Sequence, residues 1–315
     1  MATLIDRARQ GDRRSLARAL SVVEAGGEAA QQVGADAGRH AGAAYVVGIT
    51  GAPGAGKSTL TGQLVGARRR LGDRIAVLAI DPSSPFSGGA ILGDRVRMQV
   101  HATDDGAYIR SMATRGHLGG LTLATPQAVR VLDAAGYPWV VVETVGVGQV
   151  EVDIAGAADT TVVVVNPGWG DAVQANKAGL LEIADIFVIN KADRDGAEAT
   201  RNDLEQMLMM GKPAEDGWIP PVLMTVSTTG QGADELWAAV EDHRTHCEKT
   251  GLLDDRRRRR VETEMRTILV RRLEQLATGH SGTDAWRALT DAVATGAVDP
   301  YTAVERLLDT AGLRS

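Results

Sequence analysis

The run Gly51-Ala52-Pro53-Gly54-Ala55-Gly56-Lys57-Ser58-Thr59 lies between an apolar stretch, Ala44 to Ile49, and a helix-like stretch, Leu60 to Arg70. That order constrains the fold more than any other feature. The run fits G-x-x-x-x-G-K-[ST], and a loop of this kind turns its backbone N–H groups inward around phosphate. It needs a strand to end on and a helix to open, so a βα unit is expected from Ala44 to Arg70. In such a unit Lys57 reaches the β- and γ-phosphates and the Ser58 hydroxyl sits on Mg²⁺. The N-terminal dipole of the following helix faces the anion. A nucleoside triphosphate site is therefore expected on residues 51–59.

Further along, apolar β-branched runs alternate with helical stretches. Arg74 to Ile80, Trp139 to Val142, Thr161 to Val165, Ile186 to Ile189 and Val222 to Val226 are near-continuous apolar runs. Strands buried on both faces have this composition, and right-handed crossovers then give an α/β, doubly wound, mainly parallel sheet. Helical extensions flank it. Leu4, Ile5, Ala8, Leu16, Ala19, Leu20 and Val23 recur at helical spacing, broken at Gly11 and Gly26-Gly27. After Gly230-Gln231-Gly232 the pattern is helical only: Ala233 to His246, then Arg257 to Leu276, then short helices with Pro300 at a turn. The expected division is an N-terminal extension over 1–43, a nucleotide domain over 44–247 and a C-terminal extension over 248–315. Val261, Met265, Ile268, Leu269 and Leu273 form one apolar stripe in the last of these.

The chain is 44% hydrophobic but only 3% aromatic, so aliphatic residues and alanine must fill its core. A net charge of −6 gives no general case for binding nucleic acid or an anionic membrane. The run Arg256 to Arg260 enters a helix and reads as a solvated face or a site for an acidic partner, ahead of a nucleic-acid patch. The single cysteine, Cys247, rules out an internal disulfide framework and a cysteine-based metal cluster. His243 and His246 are expected on an exposed helix rather than on a metal. Met1 to Ser15 is charged and no apolar run is long enough to span a bilayer, so no membrane and a cytoplasmic location are expected.

Asn190-Lys191-Ala192-Asp193 follows the run Ile186 to Ile189 and has the form N-K-x-D. The Asp193 carboxylate can accept both the N1–H and the N2 amino hydrogens of guanine, donors that adenine lacks. Asn190 can bond the O6/N7 side of the base and the Lys191 stem can pack over the ring. Ser227 and Thr228, after the next strand, are placed to offer backbone N–H groups to guanine O6. GTP is therefore expected over ATP. Glu143 ends another strand, with Gly146 three residues on, which suits an acid near Mg²⁺ beside a γ-phosphate loop; a helix-capping glutamate is the alternative. Residues 81–98 begin at a strand end, where Asp81 and Asp94 are candidates for Mg²⁺ contact, direct or through water, or for positioning the attacking water. A solvated loop with incidental acids is the alternative there. No glutamine is assignable to the attacking water, so slow hydrolysis raised by a partner is expected.

Taken together, GAPGAGKST, DPSSPFSGGAILGDRVRM, ETVGVGQVEVDIAGAADT and NKAD resemble the MeaB/ArgK family of P-loop G proteins over about residues 45–230. The resemblance implies a homodimeric GTPase that chaperones an adenosylcobalamin-dependent acyl-CoA mutase, chiefly methylmalonyl-CoA mutase, gating cofactor loading and protecting the enzyme. It implies phosphates on Gly51 to Thr59, an acidic set of Asp81, Asp94 and Glu143 around the Ser58-bound Mg²⁺, and guanine on Asn190, Lys191 and Asp193. Residues 166–179, with Lys177, would be an additional switch. From placement alone, the helices from Val261 to Leu276 are the candidate dimer interface. Three rivals stand beside this reading, one of them a non-catalytic nucleotide-dependent scaffold that would bind GTP tightly without turning it over. A P-loop kinase or ATPase linked to lysine/arginine/ornithine transport would need an acceptor pocket, and NKAD would make GTP its unusual phosphate donor. A metallochaperone GTPase wants clustered Cys and His near its switches, whereas Cys247 lies far along the chain and His101 and His117 stand alone.

Overall fold

The computed structural model describes residues 2–82, 101, 103–114, 124–144, 150–169, 179, 182–210, 216–280 and 283–310. The chain divides into two compact units, Met1–Arg260 and Val261–Ser315. In the first, helices α1 (Leu4–Arg9), α2 (Arg13–Ala25) and α3 (Gly27–Gly38) precede an alternating α/β region. Its elements are β1 (Tyr45–Gly51), α4 (Lys57–Arg70), β2 (Ile75–Pro82), β3 (Ala107–Thr114), α5 (Ala124–Ala134), β4 (Trp139–Thr144) and α6 (Val150–Ala157). It continues through β5 (Thr160–Val165), β6 (Ile186–Asn190), α7 (Ala197–Met210), β7 (Val222–Thr225) and α8 (Ala233–Thr250), and α9 (Leu252–His280) runs from the first unit into the second. In the second unit α10 (Asp284–Ala294) and α11 (Pro300–Thr310) follow. No described helix is long and apolar enough to cross a membrane.

The described strands form one sheet in the order β3-β2-β4-β1-β5-β6-β7, and every neighbouring pair is parallel. Successive side chains alternate between its faces. Tyr45, Val47 and Ile49 of β1 join Val162 and Val164 of β5 under α4 and α8, while Val46 packs with α5, α6 and the N-terminal helices on the other face. Val163, Val165, Phe187 and Ile189 meet Leu204 of α7. Helices on both faces of a parallel sheet make the doubly wound architecture, and they explain why the strands read as continuous apolar runs.

One strand, β3, has no such run. It lies at a sheet edge, where Arg110 Nη2 bonds Glu24 Oε2 at 2.7 Å and Ser21 Oγ at 3.1 Å, both on α2. Its polar positions are covered by the N-terminal helices rather than by apolar packing, so the expected signal is absent. Pro300 does not sit in a turn. It is the first residue of α11, and Asp299 Oδ1 accepts the Thr302 N–H at 3.0 Å as the cap. Proline fits a first helical position because that N–H has no partner in the helix.

At the edge where the parallel strands begin, two carboxylates are buried. Asp185, just before β6, takes Arg256 on both oxygens at 2.8 and 2.9 Å, the Thr161 N–H at 2.7 Å and His243 Nε2 at 3.3 Å. Asp159, just before β5, accepts from the Val46 N–H at 2.9 Å, Arg257 Nη2 at 3.2 Å and Arg260. Three arginines of the Arg256 to Arg260 run therefore hold α9 to the sheet. They face neither solvent alone nor an external partner, which corrects the reading from charge pattern. Arginines at positions i, i+1 and i+4 share one side of a helix, and two buried acids meet them. His243 is also buried, with Nδ1 bonded to Thr160 Oγ1 at 2.7 Å, not exposed as its polar neighbours suggested. Cys247 lies beside it at 3.4 Å, and burial pushes its thiol up to about 11.

Burial alone raises the Asp185 carboxyl, but the hydrogen bonds and charges of His243 and Arg256 outweigh it and hold the group below its ordinary value of 3.8. A carboxyl lowered by folding adds stability that is complete well above pH ~4 and is lost as pH falls through the still lower folded value. Asp185→Asn is expected to destabilise the first unit by about 3 kcal/mol at pH 7, because Arg256 loses its buried counter-charge. The variant should also lose less stability than the parent below pH ~4. Urea titration at both pH values checks this; equal stability at pH 7 would mean the arginines do not hold the helix.

Candidate nucleotide-binding site

A parallel sheet gathers the carboxyl ends of its strands at one edge, and ligands bind in that crevice. Here β1 ends in Gly51, β4 in Glu143 and Thr144, β6 in Asn190, and β7 in Thr225 followed by Ser227. Gly51 has φ +128°, and a Cβ on it would stand 2.0 Å from the Val164 carbonyl oxygen of β5. Only glycine lets the chain leave β1 this close to its neighbour. Gly56 has φ +89° and caps α4 with no side-chain hydrogen bond, so the first-turn N–H groups of α4 are left to an anion.

The loop is held from its carbonyl side. Lys57 Nζ donates to Gly51 O at 2.7 Å and Ala52 O at 3.0 Å, Lys191 Nζ to Gly54 O at 2.7 Å, and Asn190 Nδ2 to Ala55 O at 2.7 Å. Carbonyls drawn to one side turn the intervening N–H groups to the other, which makes an anion-binding concavity. Lys57 and Ser58 are both buried.

Ser58 Oγ donates to Glu143 Oε1, joining residues 85 apart in sequence, from the first turn of α4 to the end of β4. A hydroxyl and a carboxylate, both buried beside the phosphate loop, form a hard oxygen donor pair of the kind Mg²⁺ takes. Thr144 Oγ1 donates to Thr50 Oγ1 at 3.1 Å directly behind them.

At the base side, Lys191 has φ +61°, and the Ala192 N–H bonds the Thr225 carbonyl at 3.0 Å. This tight turn leaves Asp193 exposed, lining a groove of about 640 Å³ with Met224, Val226 and Gln231. Thr228 follows Ser227 in the turn closed by the Gly230 N–H to the Val226 carbonyl, 3.0 Å. Asn190 is buried, and its amide is engaged by the phosphate loop and by Thr225 and Ser227. Thr225 had no sequence signal beyond a hydroxyl at the end of an apolar strand. The backbone of Asp81 lies near the carboxyl end of β2, paired with Ala113, while its side chain, Asp94, residues 145–149 and Lys177 fall outside the described residues.

Residues 16–281 match the family profile described as methylmalonyl-CoA mutase-associated GTPase MeaB. The chain belongs to the MeaB family. A relative from Pyrococcus abyssi, named only as a candidate GTPase, is 50% identical over 97% of this chain and 95% of its own length. The GTPase ArgK of Escherichia coli is 39% identical over 80% of this chain and 78% of its own. A crystal structure of a LAO/AO transport system kinase superposes with TM-score 0.71 at 29% identity, covering 98% of this chain and 96% of that one. As a MeaB-family member the chain is a P-loop GTPase that binds GTP and GDP.

Gly56→Ala is expected to weaken GDP binding about tenfold or more, since a Cβ there would stand 2.4 Å from Asn190 Nδ2 on a left-handed backbone. Calorimetric titration of a variant that keeps its circular dichroism spectrum checks it, and unchanged affinity would mean the loop can be rebuilt without its asparagine. Asp193→Asn should weaken GTP and admit xanthosine triphosphate, whose base offers an acceptor where guanine offers a donor. Competition between the two nucleotides reads this, and an unaltered preference would remove Asp193 from base selection.

Proposed function

We propose that this chain is a GTP-driven switch serving an adenosylcobalamin-dependent acyl-CoA mutase, methylmalonyl-CoA mutase first, gating cofactor loading and protecting the enzyme. The observation that carries this is the match over residues 16–281 to a family described by its association with that mutase. Ser58 and Glu143 would hold Mg²⁺, with Asp81 and Asp94 as further candidates. The ion would offset negative charge on the β- and γ-phosphate oxygens. Lys57 reaches the same phosphates from α4. The N–H groups of Gly54, Gly56, Lys57 and Ser58 orient the chain of phosphates, and the turn at Asn190 to Asp193 selects guanine. Water adds to the γ-phosphorus as its bond to the GDP oxygen breaks, giving GDP and phosphate. The lost phosphate contacts alter the loops after β2 and β4, and the mutase responds to that change.

We assign homodimerisation to the second unit. Val261, Met265 and Leu269 of α9 are 51%, 65% and 58% exposed, and α10 buries none of its residues. Amphipathic helices with open apolar faces suit a second copy of the same helices.

GTP turnover by the purified chain should be slow, selective over ATP, and raised several-fold by methylmalonyl-CoA mutase. A rate indifferent to the mutase would direct the search to another client, and equal use of ATP would revive the kinase. Met265→Glu/Leu269→Glu should convert the dimer to monomer in sedimentation equilibrium; a dimer that persists would place the interface elsewhere.

A further inference from the structure

The orientation of the Asn190 amide follows from groups whose roles are not in doubt. The Ser227 backbone N–H can only donate, and it meets Oδ1 at 3.2 Å; the Ala55 carbonyl can only accept, and it meets Nδ2 at 2.7 Å. Thr225 Oγ1, at 3.1 Å, and Ser227 Oγ, at 2.5 Å, therefore donate to Oδ1 as well. Asn190, Thr225 and Ser227 are all buried. Turning the amide over would set its N–H against the Ser227 N–H and its oxygen against the Ala55 carbonyl, in a site closed to water, which is costly.

Thr225 thus serves two loops by two routes. Its backbone carbonyl fixes the turn that carries Asp193, through the Ala192 N–H at 3.0 Å. Its hydroxyl fixes Asn190, and Asn190 holds the phosphate loop at Ala55. Its methyl packs near Gly232, where a Cβ would lie 2.9 Å from Thr225 Cγ2. Substituting valine leaves the carbonyl and the methyl in place and removes only the link that runs to the phosphate loop.

We propose that Thr225 is a positioning residue for phosphate binding, acting through Asn190 to hold the carbonyl side of the phosphate loop, although it lies beside the base-selecting turn. Its loss weakens nucleotide binding whatever the base. The proposal rests on the guanine-nucleotide site described above, and parental affinity for GDP, measured first, tests that site separately.

The test compares Thr225→Val, Thr225→Ser and Thr225→Ala with the parent by calorimetric titration of GDP and inosine diphosphate. Valine keeps the shape and loses the hydroxyl; serine keeps the hydroxyl and loses the methyl. The expected result is parental affinity for the serine variant. The valine and alanine variants should show a loss of about fivefold, the size of one hydrogen bond, equal for GDP and inosine diphosphate. Parental affinity in the valine variant would overturn the proposal, as would a changed ratio between the two nucleotides. If valine prevents folding, serine and alanine decide alone: both lack the methyl, so equal affinities would show that the hydroxyl does nothing.

Discussion

Four backbone carbonyls of the phosphate loop, those of Gly51, Ala52, Gly54 and Ala55, each accept a hydrogen bond from Lys57, Lys191 or Asn190. The site depends on this grip. A peptide unit points its N–H opposite to its C=O, so fixing the oxygens fixes where the donors converge. Two of the three gripping side chains, Asn190 and Lys191, come from the end of β6 and the turn after it, well over a hundred residues along the chain. The loop over residues 51–59 and the turn over residues 190–193 are therefore parts of one hydrogen-bonded body. Glycine at 56 is required by the same contact, since the Asn190 amide occupies the space a side chain would need.

The sheet separates two kinds of polar structure. At the edge where the strands end lie hydroxyls, two lysines on loop carbonyls and an exposed Asp193. At the edge where they begin, Asp159 and Asp185 are buried and matched by Arg256, Arg257 and Arg260. The strand β6 joins the two, with Asp185 just before its first residue and Asn190 as its last. A buried ion pair adds little net stability over an apolar pair, but breaking one partner is costly, so the arrangement fixes where α9 leaves the sheet. Between the edges the core is aliphatic. Arg68 lies over both Trp139 and Trp237, at 4.2 and 4.3 Å, seating α8 against α4.

What the sequence disclosed follows from where information is local. The phosphate loop, the NKAD turn and the apolar strands are contiguous, and each was legible from composition and spacing. Strand β3 was not, because an edge strand under polar helix contacts carries no apolar run. The arginine run was misread for a related reason. Charge pattern shows which residues share a helix face but not that two carboxylates, at 159 and 185, lie buried opposite. The His243 environment was hidden in the same way, since its partners are Thr160, the first residue of β5, and Asp185, just before β6. Ser58 and Glu143 were both expected near one ion, whereas the bond from Thr225 to Asn190 carries no signal in the sequence.

The chain has one cysteine, and it is buried against His243 with its thiol pushed up to about 11. At pH 8 only about one molecule in a thousand would carry the reactive thiolate, and burial shields that one. To a maleimide or a spin-label reagent the protein is chemically silent as it stands. A cysteine placed at any surface position then becomes the sole labelled point, so distances and motions can be read pair by pair without first removing a native thiol.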